Sequence, residues 1–556
     1  MRTASTKSRR RKSSRRSTST STESISSIPN GPLDHLSERT WVYAGIAVML
    51  LAAFLRFYDL ALVPLHHDEG VNGNFLVRLV RSGEYQYDPS NYHGPTLYYF
   101  TAIIGWIIRG LFGEEAQNAY GLNTVTIRTV TALFGLGTVG LALLMRRRLG
   151  NFGALSAAAL LAVSPGAVYL SRYYIHETLF VFFTMSTVVA FSRYFEGRHP
   201  VYLMLAAISL ALLFATKETA FISVGVLTIA LVITLAYRWW WRQFERRSQP
   251  KKIEKEPVQR RAMETLIWAS VAVAVFVVVY VLFYSSFFRN YPKGLYDSLK
   301  TFEVWTRTGT QHHVHPAQTY LRWLFLQETP ILLSAIIGAG LVVLRPRNSL
   351  ALFCALWGFG VLAAYTLVPY KTPWLTLNFI VPLSLIGGYA FNEFYRSGPG
   401  KPFLAIGILV LALGLSGYKS IDLNFFNYDN DNPGYVYVYA HTRRELLELV
   451  HEIDKVAKQS SEGSRLGITI VASDYWPLPW YLRDYGRVGY FGRMTSTSEP
   501  IIIATAGQKA EVERMFGDRY RQVRSEFNPE GAYPLRPGVE LLLYVRADLA
   551  DAGGSS

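Results

Sequence analysis

The sequence predicts an all-α polytopic membrane protein of the kind that carries interfacial helices, with a small extracytoplasmic α/β domain at its C-terminal end. Three observations lead there. Roughly eleven apolar runs approach the ~20 residues that span a bilayer as helix. Residues 420–556 hold no such run and alternate short strand-like stretches with helical ones. Of the net charge of +16, twelve charges lie in two segments, 1–40 and 238–262, each beside an expected span. That placement is how cytoplasmic segments mark topology, and it points to anionic lipid headgroups rather than to nucleic acid. The single cysteine, Cys354, sits inside an apolar run and excludes an intrachain disulfide.

Residues 1–38 are rich in Ser, Thr, Arg and Lys and read as a disordered basic cytoplasmic tail. No apolar segment with a small-residue cleavage site follows directly, so 41–57 is expected to be an uncleaved first span, opening a membrane domain over 39–419. The segment 95–111 decides the topology. If it crosses, Arg146-Arg147-Arg148 and the basic loop 238–262 both fall outside. If it is interfacial or re-entrant, 58–123 is one external loop and the compact basic clusters share the cytoplasmic side, as the positive-inside rule favours. The spans then expected are 41–57, 124–145, 152–170, 178–195, 201–215, 220–237, 263–284, 328–344, 350–368, 374–394 and 403–417. The N-terminus is cytoplasmic and the C-terminal domain external.

In the external loop, Asp68 is placed to cap a short interfacial helix. Val71, Phe75, Leu76, Leu79 and Val80 recur at helical spacing and Ser82-Gly83 ends the run. Beyond 420, strands are expected at 466–472, 500–504 and 539–545, with another at 435–439, and helices at 442–458 and 508–516. The run Asp474-Tyr475-Trp476-Pro477-Leu478-Pro479-Trp480 offers either a sugar-binding face or packing for that domain.

Under this topology five polar clusters share the external side. They are His66–Glu69, Ser171–Glu177, Thr216-Lys217-Glu218, Pro369–Trp374 and the loop with His312, His313 and His315. Ionisable groups at a membrane boundary are costly and commonly functional. Asp68 and Glu69 are the candidate catalytic pair, one able to take a proton from a hydroxyl. His67, His93, Arg128, Arg172, Lys217 and Lys371 are candidates to hold a phosphate leaving group or substrate. Asp68, His176 and Glu177 offer ligands for a divalent cation, at spacings that match no dedicated metal motif.

The stretches HHDEGVNGNFLVRLVRSGEYQYDPSNYHGPTLYY (66–99), SRYYIHETLFVFF (171–183), ATKE (215–218) and PYKTPWLTLNFIVP (369–382), with Arg128, resemble the GT-C glycosyltransferases. The resemblance is to the protein O-mannosyltransferase and aminoarabinose-transferase group, and most of all to an archaeal and bacterial family associated with a flippase in N-glycosylation. It implies a polyprenyl-phosphate-linked sugar donor, an extracytoplasmic active site in the plasma membrane, and inversion at the anomeric carbon. It also implies Asp68 as base with Glu69 supporting, and Arg128 and Lys371 near the donor phosphate. The acceptor would be a glycan, protein or lipid. His93-Gly94 stands where aminoarabinose transferases carry a Lys, and His176-Glu177 where many relatives have Asp. The Trp-Trp-Asp signature of oligosaccharyltransferases is absent, which argues against en bloc glycan transfer. The rival reading is a lipid-linked sugar translocase or an accessory to one, which would need polar residues lining a path through both leaflets.

Overall fold

The computed structural model describes residues 36–556 apart from 84, 90–92, 113–120, 249–257, 309–313, 346–347, 527–529 and 554–556. Most of the basic tail, part of the basic loop, and His312 and His313 therefore lie outside the described residues.

The helices up to residue 421 are α1 (Glu38–Phe57), α2 (His67–Ser82), α3 (Thr96–Phe112), α4 (Thr124–Leu144), α5 (Arg146–Leu149), α6 (Asn151–Val163), α7 (Pro165–Ser171), α8 (Glu177–Gly197) and α9 (Pro200–Phe214). They continue with α10 (Ala220–Ser248), α11 (Val258–Tyr284), α12 (Lys293–Thr308), α13 (Thr319–Gln327), α14 (Thr329–Leu344), α15 (Ser349–Leu367), α16 (Leu377–Tyr395) and α17 (Lys401–Ile421). Among the described residues, eight helices are long and apolar enough to cross a membrane. The number is ten if α6–α7, bent by 61°, and α13–α14, bent by 112°, each count as one span. The remaining expected span, 201–215, is α9. Its 15 residues reach ~22 Å at 1.5 Å per residue, short of a ~30 Å hydrocarbon core.

Ion pairs and caps gather the basic clusters at one end of the bundle. Arg146 Nη1 donates to Glu38 Oε1 at 2.7 Å, Arg148 Nε to Glu196 Oε1 at 2.8 Å, and Arg193 Nη2 to the Leu144 carbonyl at 2.6 Å. Arg238 donates to Ser349 at the same end. At the other end the Gly94 and Thr96 amides bond to the Thr216 and Ala215 carbonyls, so α3 starts there. By Gly121 the chain is back against Gly105, and α4 begins at that end too. Helix α3 therefore does not carry the chain across the bundle.

The centre of the bundle is α16, buried almost end to end and packed on α6, α14 and α15. The break between α6 and α7 leaves carbonyls at one helix end and amides at the other, which must find partners. Arg56, fully enclosed, donates to the Leu161 and Ala162 carbonyls at 3.0 Å each. Glu328 accepts from the Gly166 amide at 2.8 Å and the Ser164 hydroxyl at 2.9 Å. A cation thus meets the carbonyl end of α6 and an anion the amide end of α7, the signs that the helix dipoles favour.

Beyond α17 the chain builds α18 (Leu446–Gln459), β1 (Gly467–Ile470), α19 (Leu478–Tyr481), β2 (Arg487–Tyr490), β3 (Ile501–Thr505), α20 (Lys509–Phe516), β4 (Tyr520–Val523), β5 (Tyr533–Arg536), β6 (Val539–Arg546) and α21 (Ala547–Gly553). The sheet order is β2-β1-β3-β6-β4, with β5 also on β6; β1 runs parallel to β2 and β3, and β6 antiparallel to its neighbours. Alternate residues divide the core, as a period of two requires. Ile468, Ile470, Ile501, Ile503, Leu541 and Leu543 face α18, while Ile502, Ala504, Leu542 and Tyr544 face Val512 and Phe516 of α20. The strand expected at 435–439 is not one. Those residues form turns, and Tyr437 is drawn onto Gly166 and the Glu328 carboxylate of the bundle.

The domain docks on α2 through α19. A Cβ at Gly70 would lie 2.6 Å from Pro477 Cβ, and one at Gly73 2.5 Å from Trp480 Cε3. Trp480 is 2% exposed, so this tryptophan serves packing, and the two glycines make room for it.

Candidate active site

The N-terminus of α2 is closed by His66 rather than by Asp68. The His66 Nδ1 accepts the Asp68 amide at 3.1 Å, and the Glu69 carboxylate accepts the His66 amide at 3.0 Å, a reciprocal capping box. With Nδ1 accepting, Nε2 donates to the Tyr439 carbonyl at 3.0 Å. The imidazole is thereby held in one neutral tautomer.

The two neighbouring acids are in different situations. Glu69 is 0% exposed and takes four hydrogen bonds: Arg128 Nε at 2.7 Å, Arg128 Nη2 at 2.6 Å, the Tyr174 amide at 2.7 Å, and the His66 amide. Asp68 keeps a side chain 42% exposed, with His66 Nδ1 3.9 Å from its carboxylate.

The candidate cations sort in the same way. Arg128 uses its remaining donors on the carbonyls of Leu60, Val63 and Pro64. All five of its guanidinium N–H groups are engaged within the protein. Arg172 donates to the Leu55, Tyr58 and Asp59 carbonyls and stacks 4.6 Å from the Phe425 ring. Lys217 is buried against the Glu177 carboxylate. Lys371 differs from these. It is 1% exposed, donates to the Val368 carbonyl at 2.6 Å and that of Thr366 at 3.2 Å, and lies 5.8 Å from the Tyr320 ring. Among the described residues no carboxylate pairs with it.

His93 Nδ1 lies 3.1 Å from Glu218 Oε2, and its ring is 4.9 Å from that of His176. The His176 Nε2 donates to the Gly94 carbonyl at 3.0 Å. With His176 and Glu177 so engaged, the expected cation site of Asp68, His176 and Glu177 does not assemble. Among the described residues no three His, Cys, Asp or Glu side chains group as metal ligands.

The clusters nevertheless meet. The His66 ring is 5.2 Å from Tyr173 and 6.4 Å from Trp374, joining α2 to the 171–177 turn and to the Lys371 loop. His315 bonds through its amide to the Pro369 carbonyl at 3.2 Å. Three contributors escaped sequence reasoning. His441 lies 5.6 Å from His66, ring to ring, and Glu328 holds the α6–α7 break. Arg536 of β5 has Nη1 3.5 Å from His67 Nδ1 and is paired with Asp474. Glu328 carried a signal, an acid opening an apolar run. Arg536 carried none. Removal of water pushes the His67 pKa below its ordinary value, against the pull of Asp68.

Bundle, one-sided polar cluster and docked α/β domain define a multi-pass membrane protein with the GT-C glycosyltransferase fold. The structure of ArnT from Cupriavidus metallidurans bound to undecaprenyl phosphate is similar, with a TM-score of 0.59 at 14% identity over 92% of this chain and 99% of that one. Its apo form superposes with a TM-score of 0.55 over the same shares. More particularly, residues 46–291 match the family model described as dolichyl-phosphate-mannose-protein mannosyltransferase. Protein O-mannosyl-transferase 1 of Danio rerio is 27% identical over 210 residues, 35% of this chain and 28% of that protein. The chain thus spans little more than a quarter of the curated relative it matches.

Proposed function

We propose that the protein is a glycosyltransferase that moves a sugar from a polyprenyl-phosphate donor to an acceptor hydroxyl on the extracytoplasmic face, inverting the anomeric carbon, with Asp68 as general base. The observation that carries this reading is the contrast between the adjacent acids. A base needs a free lone pair within reach of the acceptor; Glu69 has four donors on it, while Asp68 is open.

In the reaction the acceptor O–H proton passes to Asp68 as the oxygen attacks the anomeric carbon from the face opposite the phosphate. The carbon–oxygen bond to phosphate breaks, and its electron pair leaves with the polyprenyl phosphate. The ammonium of Lys371, held by two carbonyls with no carboxylate on it among the described residues, stabilises that growing negative charge, in a site where fixed charge acts strongly. Arg128 and Glu69 fix the start of α2 and so the direction of Asp68. The basic clusters at the far end of the bundle favour a cytoplasmic N-terminus, and the gathering of polar groups at one end favours transfer over translocation.

The test is Asp68→Asn in an assay with a polyprenyl-phosphate-linked sugar. Transfer is lost while the thermal midpoint and membrane insertion stay as in the wild type. Turnover at the wild-type rate would rule out Asp68 as the base.

A further inference from the structure

The α/β domain places three aromatic rings and an ion pair directly beyond His67. The Trp476 ring is 6.0 Å from the His67 ring, Tyr475 is 5.9 Å from Trp476, and Tyr490 is 5.3 Å from Tyr475. Asp474 and Arg536 pair beside them, with side chains 50% and 15% exposed. Tyr475 and Trp476 follow the carboxyl end of β1, and Tyr490 ends its parallel neighbour β2. In open α/β sheets, ligands bind outside the carboxyl ends of parallel strands. The shelf is fixed in place, since Pro477 and Trp480 from the same loop pack on Gly70 and Gly73, and Tyr481 accepts the Leu65 amide at 2.9 Å.

We propose that this shelf is the acceptor subsite and that the acceptor is a saccharide. The inference rests on the glycosyltransferase reading above and names its second substrate. Aromatic faces receive the apolar C–H face of a sugar ring, and a carboxylate beside a guanidinium offers acceptors and donors to its hydroxyls. A peptide that bound by strand addition would need a free strand edge. The edge strand β2 has four residues, and its Arg487 is tied to Glu499 at 2.7 Å, features that block strand addition.

The experiment uses the full-length protein in detergent micelles and saturation-transfer NMR with α- and β-linked gluco-, manno- and galacto-trisaccharides. A Ser/Thr hexapeptide and undecaprenyl phosphate serve as separate probes. At least one trisaccharide binds, and Trp476→Ala and Arg536→Ala each weaken it by about tenfold, as loss of a central aromatic or arginine contact does. Undecaprenyl phosphate binding stays unchanged in both variants. No trisaccharide binding, unaltered binding in the variants, or displacement of saccharide by the hexapeptide would overturn the proposal. Loss of polyprenyl-phosphate binding in the wild type would instead refute the transferase reading and leave the saccharide result standing.

Discussion

Arg128 of α4 and Glu69 of α2 are joined by two hydrogen bonds of 2.7 and 2.6 Å, with both side chains sealed from solvent. A buried pair of this kind adds little over an apolar replacement, but removing one partner leaves a stranded charge costing about 3–5 kcal/mol. Glu69→Ala is therefore expected to lower the folded yield and the thermal midpoint sharply, whereas Asp68→Asn leaves both intact. Size-exclusion profiles and melting curves of the two variants check this. Equal stability for both would contradict the division of roles between the acids.

Lys371→Met removes the one buried ammonium that lacks a carboxylate partner among the described residues. A charge-assisted hydrogen bond contributes about 1.5–3 kcal/mol, so kcat/KM for a polyprenyl-phosphate-linked donor should fall about ten- to a hundredfold. Donor titrations in steady state measure it. An unchanged KM and kcat would remove Lys371 from the donor site.

The turns at 435–445 make stability depend on pH. Burial, with His66 and Arg128 adding to it, holds the His441 pKa well below its ordinary 6.5. The unfolded chain then binds this proton more readily than the folded one. The contribution is complete above 6.5 and is lost as pH falls from there towards the folded pKa. Melting curves at about pH 7.5 and about pH 5.5 should show a drop in the wild type that is smaller in His441→Asn. An identical drop in both would assign the effect to other groups.

Trp480→Ala empties the contact over Gly73. Large-to-small changes of this type cost about 3–5 kcal/mol, here falling on the docking of the α/β domain. Limited proteolysis should release a fragment from about residue 440 onward faster than in the wild type. Gly73→Leu, which forces Trp480 away, should do the same; resistance in both would mean the domain is held elsewhere.

Topology can be read with one added thiol, because the native Cys354 is buried. Arg147, whose side chain is 69% exposed, suits replacement by Cys, with Asp518→Cys as the external control. A membrane-impermeant maleimide on intact cells should label position 518 and spare 147. Labelling at 147 would reverse the orientation proposed here.

The fold class was legible because long apolar runs have few alternatives, and α1, α4, α8, α11, α15, α16 and α17 lie close to where hydropathy put them. The two bends were not legible. The α6–α7 break is met by two distant charged side chains, Arg56 and Glu328, that no local pattern links to it, and Glu328 itself stands at the second bend. The polar clusters were visible as boundary charges, yet sequence could not distinguish Arg128, with every donor engaged, from Lys371, left without a carboxylate. That difference is set by which carbonyls the folded loops bring near. The expected strand at 435–439 had the right alternation, but Tyr437 finds its partner in the bundle instead.

The four donors around Glu69 come from the capping turn of α2, from Arg128 59 residues on, and from Tyr174 beyond the α6–α7 break. A nascent chain with only its opening helices inserted cannot supply them. Until the chain has been made as far as Tyr174, the Glu69 carboxylate lacks two of the groups that seat α2, so the direction of Asp68 is fixed only once the segments up to α7 have assembled around it.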